Sequence, residues 1–247
     1  MESIIELQNV FFSTQNEEIV RGVSYQFANG KTTALVGPSG GGKSTVLKLA
    51  AGLLVPTGGT VAFRGRDMTD MNRGQNLEFR RESAMVFQDS ALWANQSLYQ
   101  NLELPLRIHF PHMSKSDREN RMQEVLTEVG YKKNLLIRPS QLSMGEQKLI
   151  AFARAMLCDP HILFLDEWTE SLDDHAANHL VDIVKNRKNR QDTIIFVSHD
   201  FRIIRNLADY MVMILGGQIS MVLTGAEISS DSGLVRHIEK GIEAYEI

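Results

Sequence analysis

The chain has 247 residues, 43% hydrophobic and 23% charged, the composition of an ordinary globular protein that buries about 70–75% of its unfolded surface without a metal or disulfide staple. A formal charge of −4 leaves no basic footprint for nucleic acid, and the single cysteine, Cys158, excludes an internal disulfide and reads as a small core residue in a reducing compartment. Met1-Glu2-Ser3-Ile4-Ile5-Glu6 begins acidic, unlike a secretory leader. Apolar runs such as Met211–Leu215 fall far short of the ~20 residues that span a bilayer, so a cytosolic chain is expected, with any membrane role exerted through a partner.

Ile4 to Phe12 and Ile19 to Phe27 are rich in strand formers, the second run ending at the turn Asn29-Gly30. Thr33–Val36 reads as a buried strand and Val46–Ala51 as a helix closed by Gly52. Pro56–Gly59 is a turn, Thr60–Phe63 a short strand, and Ala84–Phe87 a buried strand ending at Gln88. From Asp89 to about Gln141 the pattern turns helical, with Pro105, Pro111 and Pro139 as punctuation, and an inserted helical subdomain is placed over about 89–160. Ser116 and Glu119 have capping-box spacing, with Met122, Val125, Leu126 and Val129 at helical intervals before Gly130. Strands and helices then alternate: Ile162–Leu165, a helix through Leu180, Ile183 and Val184, and Thr193–Val197. That argues a mostly parallel sheet covered by helices. The basic run Lys185–Arg190 reads as a solvated helix end. Gly216-Gly217 joins Tyr210–Leu215 to Gln218–Leu223 as a hairpin, and a last helix is expected from about Ser232.

Between the first buried strand and its helix lies Gly37-Pro38-Ser39-Gly40-Gly41-Gly42-Lys43-Ser44-Thr45, which fits G-x-x-x-x-G-K-[ST]. Glycines allow a concave backbone whose N–H groups point at phosphate oxygens, with a helix N-terminus behind them. Lys43 would place a charge on the β- and γ-phosphates, and the Ser44 hydroxyl would ligate Mg²⁺. A nucleoside triphosphate is the expected ligand. Ile162–Leu165 ends in Asp166-Glu167, where Asp166 suits Mg²⁺ and Glu167 suits activating water. Val197-Ser198-His199 repeats that arrangement, and His199 could hydrogen-bond the γ-phosphate. Leu142-Ser143-Met144-Gly145-Glu146-Gln147 opens a helix. It reads either as a well-capped start, through Ser143 and Glu146, or as an anion site.

Taken in order, the phosphate loop, Gln88, the Leu-Ser-x-Gly-Glu-Gln segment, Leu-Asp-Glu, Ser171-Leu172-Asp173 and Ser198-His199-Asp200 resemble the nucleotide-binding subunit of an ABC transporter over nearly the whole chain. The resemblance implies a P-loop NTPase core, a mostly parallel sheet flanked by helices, with an N-terminal antiparallel β subdomain and an inserted α-helical subdomain. It implies ATP and Mg²⁺ as cofactors and ATP hydrolysis as the activity. Two chains would dimerise head to tail, so that Ser143, Gly145 and Glu146 of one act on the nucleotide of the other and Asp173 couples the sites. Gln88 would touch Mg²⁺ or the lytic water. The insert would receive a helix of an integral-membrane permease, holding the chain at the inner face of the cell membrane.

Several positions depart from the family pattern. Thr14 stands where most members place an adenine-stacking aromatic, with Phe12 two residues before it. Met144 replaces a glycine, Trp168 a proline, and Lys148-Leu149 a Gln-Arg pair. Phe87–Trp93, Asn101–Arg107 and the ending Val235–Ile242 are similar to the ATPases of Mla/MCE-type lipid transport systems, implying a lipid cargo and an MCE-type or substrate-binding partner. Trp93 and Tyr99 read otherwise as packing within the insert. Alternatives are a soluble ABC ATPase, such as an iron–sulfur assembly type, or a slow nucleotide-dependent regulatory subunit.

Overall fold

The structure, a computed structural model, describes residues 2–230 and 238–242. It opens with β1 (Ser3–Ser13) and β2 (Glu18–Ala28), then β3 (Thr32–Val36), α1 (Lys43–Ala50), β4 (Gly58–Phe63) and the short β5 (Arg66–Asp67). α2 (Arg73–Glu82) leads into β6 (Ser83–Val86), followed by α3 (Leu98–His109), α4 (Lys115–Glu128) and α5 (Met144–Met156). β7 (Ile162–Asp166), α6 (Asp174–Asn189), β8 (Thr193–Val197) and α7 (Phe201–Leu207) come next. β9 (Tyr210–Leu215), β10 (Gln218–Thr224) and α8 (Gly225–Ser230) complete the series. Two compact units divide the chain: Met1–Asn76 with Lys188–Ile247, and Leu77–Arg187.

The first unit holds an antiparallel sheet in the order β2-β1-β4-β5, as the resemblance implied, and the strands β10-β9-β3-β8. β3 and β8 are buried at every residue, and their unbroken runs Thr-Thr-Ala-Leu-Val and Thr-Ile-Ile-Phe-Val suit parallel strands covered on both faces. β3 lies parallel to both neighbours, with Leu35 level with Val197 and Val36 with Met213. The residues following β3 and β8 therefore emerge at the same end. In β1, by contrast, Ile5, Leu7 and Val10 are buried while Gln8 and Asn9 face solvent.

In the second unit β6 and β7 pair in parallel, Val86 level with Leu165, so Gln88 and the pair Asp166-Glu167 also leave at one end. The helices earn their places through apolar stripes: Leu98, Leu102 and Leu106 on α3, Met122, Val125 and Leu126 on α4, Ile150, Ala153 and Met156 on α5. Each of the leucine, isoleucine, valine and methionine side chains among these contributes about 1.5–3 kcal/mol by leaving water. Trp168, in place of the family's proline, is fully buried and is the largest side chain in the core.

Several expectations need correction. α4 is capped by Ser114, whose hydroxyl accepts from Asp117 N–H at 3.1 Å, so Ser116 lies inside the helix; Ser114 has an acid three residues on as well, and the longer helix wins. Pro105 sits within α3 rather than ending it, because the Ser97/Gln100 capping box and the buried leucines hold the helix around the missing N–H. The run Lys185–Arg190 is not a uniformly solvated end. Arg187 is buried and paired with Asp159 at 2.5 Å, and Lys188 bridges to Asp209 at 2.9 Å. Trp93 is 47% exposed rather than packed in a core. Residues 238–242 are helical, while the expected start near Ser232 and residues 235–237 of the compared ending lie outside the described residues.

Candidate functional site

In the first unit the phosphate loop is shaped by contacts that only glycine permits. Gly37 has φ +144°, and a Cβ there would lie 2.1 Å from Ile214 O of β9. Gly42, at φ +97°, caps α1 with its back to β2, where a Cβ would come 3.0 Å from Ile19 O. The β9–β10 turn braces the loop from below, Gly217 N–H donating to Gly41 O at 3.2 Å while Gly217 O accepts from Arg21 N–H at 2.9 Å. Pro38 is buried, Ser39 and Gly40 form the exposed tip, and Ser44 and Thr45 are half-buried on the first turn of α1. Lys43 is 6% exposed; its ammonium donates to Gly37 O at 2.7 Å and Pro38 O at 2.8 Å. A buried cation held against a ring of backbone is poised for an anion placed on that ring.

His199 follows β8 at the level of Gly37, and the two line one cavity of about 370 Å³ together with Ser39 and Ser198. Asp200 next to His199 caps α7, accepting from Arg202 N–H at 2.8 Å, and the Arg202 guanidinium holds its carboxyl below the usual carboxylate range. Glu239 and Ile242 of the helical stretch 238–242 line the same cavity, a placement that no motif in the sequence announced. Thr14 is exposed and closes the β1–β2 turn, its N–H and hydroxyl both directed at Glu17 O, at 2.8 and 3.3 Å; Phe12 pairs with Val20 in the sheet and is half-buried.

In the second unit Asp166 is 1% exposed and Glu167 8% exposed at the end of β7. Glu167 sits at φ +45°, a conformation costly for a residue with a Cβ, which aims its side chain out of the regular strand direction. Gln88 donates from Nε2 to Glu170 Oε2 at 3.1 Å. At the start of α5, Ser143 and Glu146 form a complete capping box, and Lys133 pairs with Glu146. That lysine first, and the Ser143 N–H second, hold the Glu146 carboxyl below its ordinary value. Both readings of this segment thus use the same atoms. Gly145 is required within its own chain, since a Cβ would lie 2.8 Å from Ser171 O. Met144 projects into solvent, 71% exposed. Asp173 caps α6 by accepting from Ala176 N–H at 2.8 Å.

The description "ABC transporter" fits residues 20–170, the span from β2 through the residues after Glu167. The chain belongs to the ABC transporter family. The nickel import ATP-binding protein NikE of Escherichia coli (strain K12) is 33% identical over 228 residues, covering 90% of this chain and 85% of that protein. The methionine import ATP-binding protein MetN of Brucella abortus (strain 2308) is 31% identical, covering 88% of this chain and 58% of that protein. An ATP-binding cassette solved as a dimer in a post-hydrolysis state, bound to ADP and Pi, has a TM-score of 0.83 at 26% identity, covering 90% of this chain and 98% of that one. This ABC ATPase accordingly has the cassette fold, binds ATP and hydrolyses it.

Those relatives are import proteins, so they lend no support to a lipid cargo. The segments behind that expectation have structural duties. Asn101, fully buried, accepts from Trp93 N–H and donates to the carbonyls of Trp93, Gln96 and Ser97, holding the loop before α3. Tyr99 hydrogen-bonds to Glu119 at 3.2 Å. Trp93 lines a groove of about 350 Å³ with Gln96, Gln100, Leu104 and Arg107, on the helical face of the ABC ATPase. No helix among the described residues is long and apolar enough to cross a membrane.

Proposed function

We propose that this chain powers a membrane permease from its cytoplasmic face, cycling between an ATP-bound head-to-tail dimer and an open state. The supporting observation is the phosphate loop, whose carbonyls hold the buried Lys43 and whose Gly37 and Ser39 share a cavity with His199. Loop N–H groups from Gly37 to Thr45 would cradle the triphosphate while Lys43 exchanges its carbonyl acceptors for β- and γ-phosphate oxygens. Thr14, in place of a stacking aromatic, would leave the adenine held mainly by the phosphates.

Glu167 would orient the attacking water and accept its proton, and His199 would donate to the γ-phosphate as charge develops. The residues that would hold Mg²⁺ are Ser44 through its hydroxyl, Gln88 through its amide oxygen and Asp166 through its carboxylate, all hard oxygen donors. When bound, Mg²⁺ would offset the charge of the phosphates. Ser143, Gly145 and Glu146 would meet the nucleotide of a second copy, and Asp173 would couple the two sites. That the similar cassette bound to ADP and Pi is a dimer supports pairing of two copies.

The groove beside Trp93 would take a cytoplasmic helix of the permease, over an inserted subdomain of about 89–160. On cargo, the 31–33% identity to nickel and methionine import proteins favours a small polar solute moving inward. Isolation of the intact complex from membranes tests the proposal. The reading expects an integral-membrane permease, two copies of this chain, and ATP hydrolysis stimulated by nickel, methionine or a similar solute. Recovery of the chain without any membrane protein would support a soluble ABC ATPase instead.

A further inference from the structure

Between Gln88 and the groove at Trp93 runs a loop whose carbonyls are gripped by two cations of α5. Lys148, 2% exposed, donates from Nζ to Gln88 O at 2.5 Å and to Phe87 O at 3.4 Å. Six residues along the same helix, Arg154 donates to Ser90 O at 3.1 Å and Ala91 O at 2.8 Å, and lays its guanidinium 5.5 Å from the centre of the Trp93 ring. Ser90 and Ala91 both have left-handed backbones, at φ +63° and +44°. Residues with a Cβ adopt that conformation only when their surroundings hold them there. Two adjacent strained residues between two anchoring cations therefore mark a loop kept in one shape by α5.

Lys148 is unusual in kind as well as in place. A neutral side chain could satisfy a carbonyl at a smaller desolvation cost than a buried ammonium. Burial indeed depresses the basicity of Lys148, while Glu170, Asp166, Asp89 and Glu167 act in the opposite direction and favour its charge. Gln88, whose main chain Lys148 holds, is also tied by its side chain to Glu170.

We infer that Lys148 is a positioning residue for Gln88, and that Lys148 and Arg154 make α5 and the 87–93 loop move as one body. A displacement at the Trp93 groove then reaches Gln88 and the Ser143 end of α5 together. The inference rests on the reading of Gln88 as a participant in hydrolysis.

A double-mutant cycle in the intact transporter complex tests it, with kcat and KM for ATP measured for Gln88→Ala, Lys148→Met and the pair. Hydrogen exchange of the amides from 87 to 93 is followed in each variant. Lys148→Met is expected to lower kcat about tenfold with KM within about twofold, and to add nothing beyond about twofold in the Gln88→Ala background. Exchange in the loop should accelerate at least about tenfold, and Lys148→Arg should restore both readouts. Independent, multiplicative losses in kcat, or unchanged exchange, would overturn the inference. If Gln88→Ala keeps full activity, the reading of Gln88 falls and the exchange result alone decides whether α5 clasps the loop. Should Lys148→Met fail to fold, Lys148→Gln replaces it, filling similar space while withdrawing the charged donor, with the same results expected and the same results overturning.

Discussion

Alanine at each glycine of the β9–β10 turn separates a conformational cost from a steric one. Gly216 and Gly217 have φ +56° and +78°, a region where a Cβ costs about 1 kcal/mol. On Gly216 that Cβ meets nothing within 4 Å; on Gly217 it lies 2.4 Å from Ile19 O and 3.3 Å from Val20 Cα. Both obstacles are backbone atoms of β2, so no rotamer change relieves them. Turn or strand must shift by about 1 Å, and overpacking of that kind brings the total to about 3 kcal/mol. Melting should fall by about 3 °C for Gly216→Ala and about 9 °C for Gly217→Ala. Because Gly217 N–H holds Gly41 O, the shift passes into the phosphate loop. Titration with a fluorescent ATP analogue should place Gly216→Ala within about twofold of the wild type and Gly217→Ala at least about tenfold weaker. Equal losses in both variants would refute the reasoning, since both positions have left-handed backbones and only the Cβ at Gly217 would meet other atoms.

Glu239 brings a carboxylate to the cavity shared by His199 and Gly37, so Glu239→Gln should lower the KM for ATP by about threefold at low salt and less as ionic strength rises, by steady-state kinetics. An unchanged KM would separate that carboxylate from the nucleotide. Glu146 has a folded pKa below its unfolded one. Its contribution to stability is therefore complete above the ordinary carboxylate range and lost as pH falls through the lowered value. Denaturation against pH should show a flatter acid limb for Glu146→Gln than for the wild type. Asp159→Asn, which keeps a side chain tolerant of the φ +48° found there, should cost about 2 kcal/mol by withdrawing the charge that faces buried Arg187, and Arg187→Met added to it should recover part of the loss in urea titrations.

Much of the fold could be read from the chain because the signals were local. The Gly37–Thr45 loop lies between a strand buried at every residue and a helix, and the Gly-Gly hairpin and the Ser143–Glu146 capping box declare themselves within a few residues. Where two nearby serines each had an acid three residues on, spacing could not choose, and the packing of Met122 and Val125 left the longer helix with Ser114 as its cap. Long-range relations stayed hidden. Arg187 looked like one more basic residue on a helix end, yet Asp159, 28 positions away, makes it a buried partner. Gly217 carried no motif that tied it to Gly41, nor Glu239 to His199. Lys148 was visible only as a departure from a family pattern, and its duty emerged from two carbonyls 60 and 61 residues earlier. In the segments similar to lipid-transport ATPases, Asn101 holds the loop before α3 and Tyr99 bonds to Glu119 of α4, so the resemblance there says little about what is transported.

Phosphate release by the purified transporter complex, compared between the wild type and Glu167→Gln, tests the central claim most directly. The account predicts steady release by the wild type and background release by the variant, which should still bind ATP and accumulate as an ATP-bound dimer. Release at the same rate from both would contradict the assignment of Glu167 as the group that activates water.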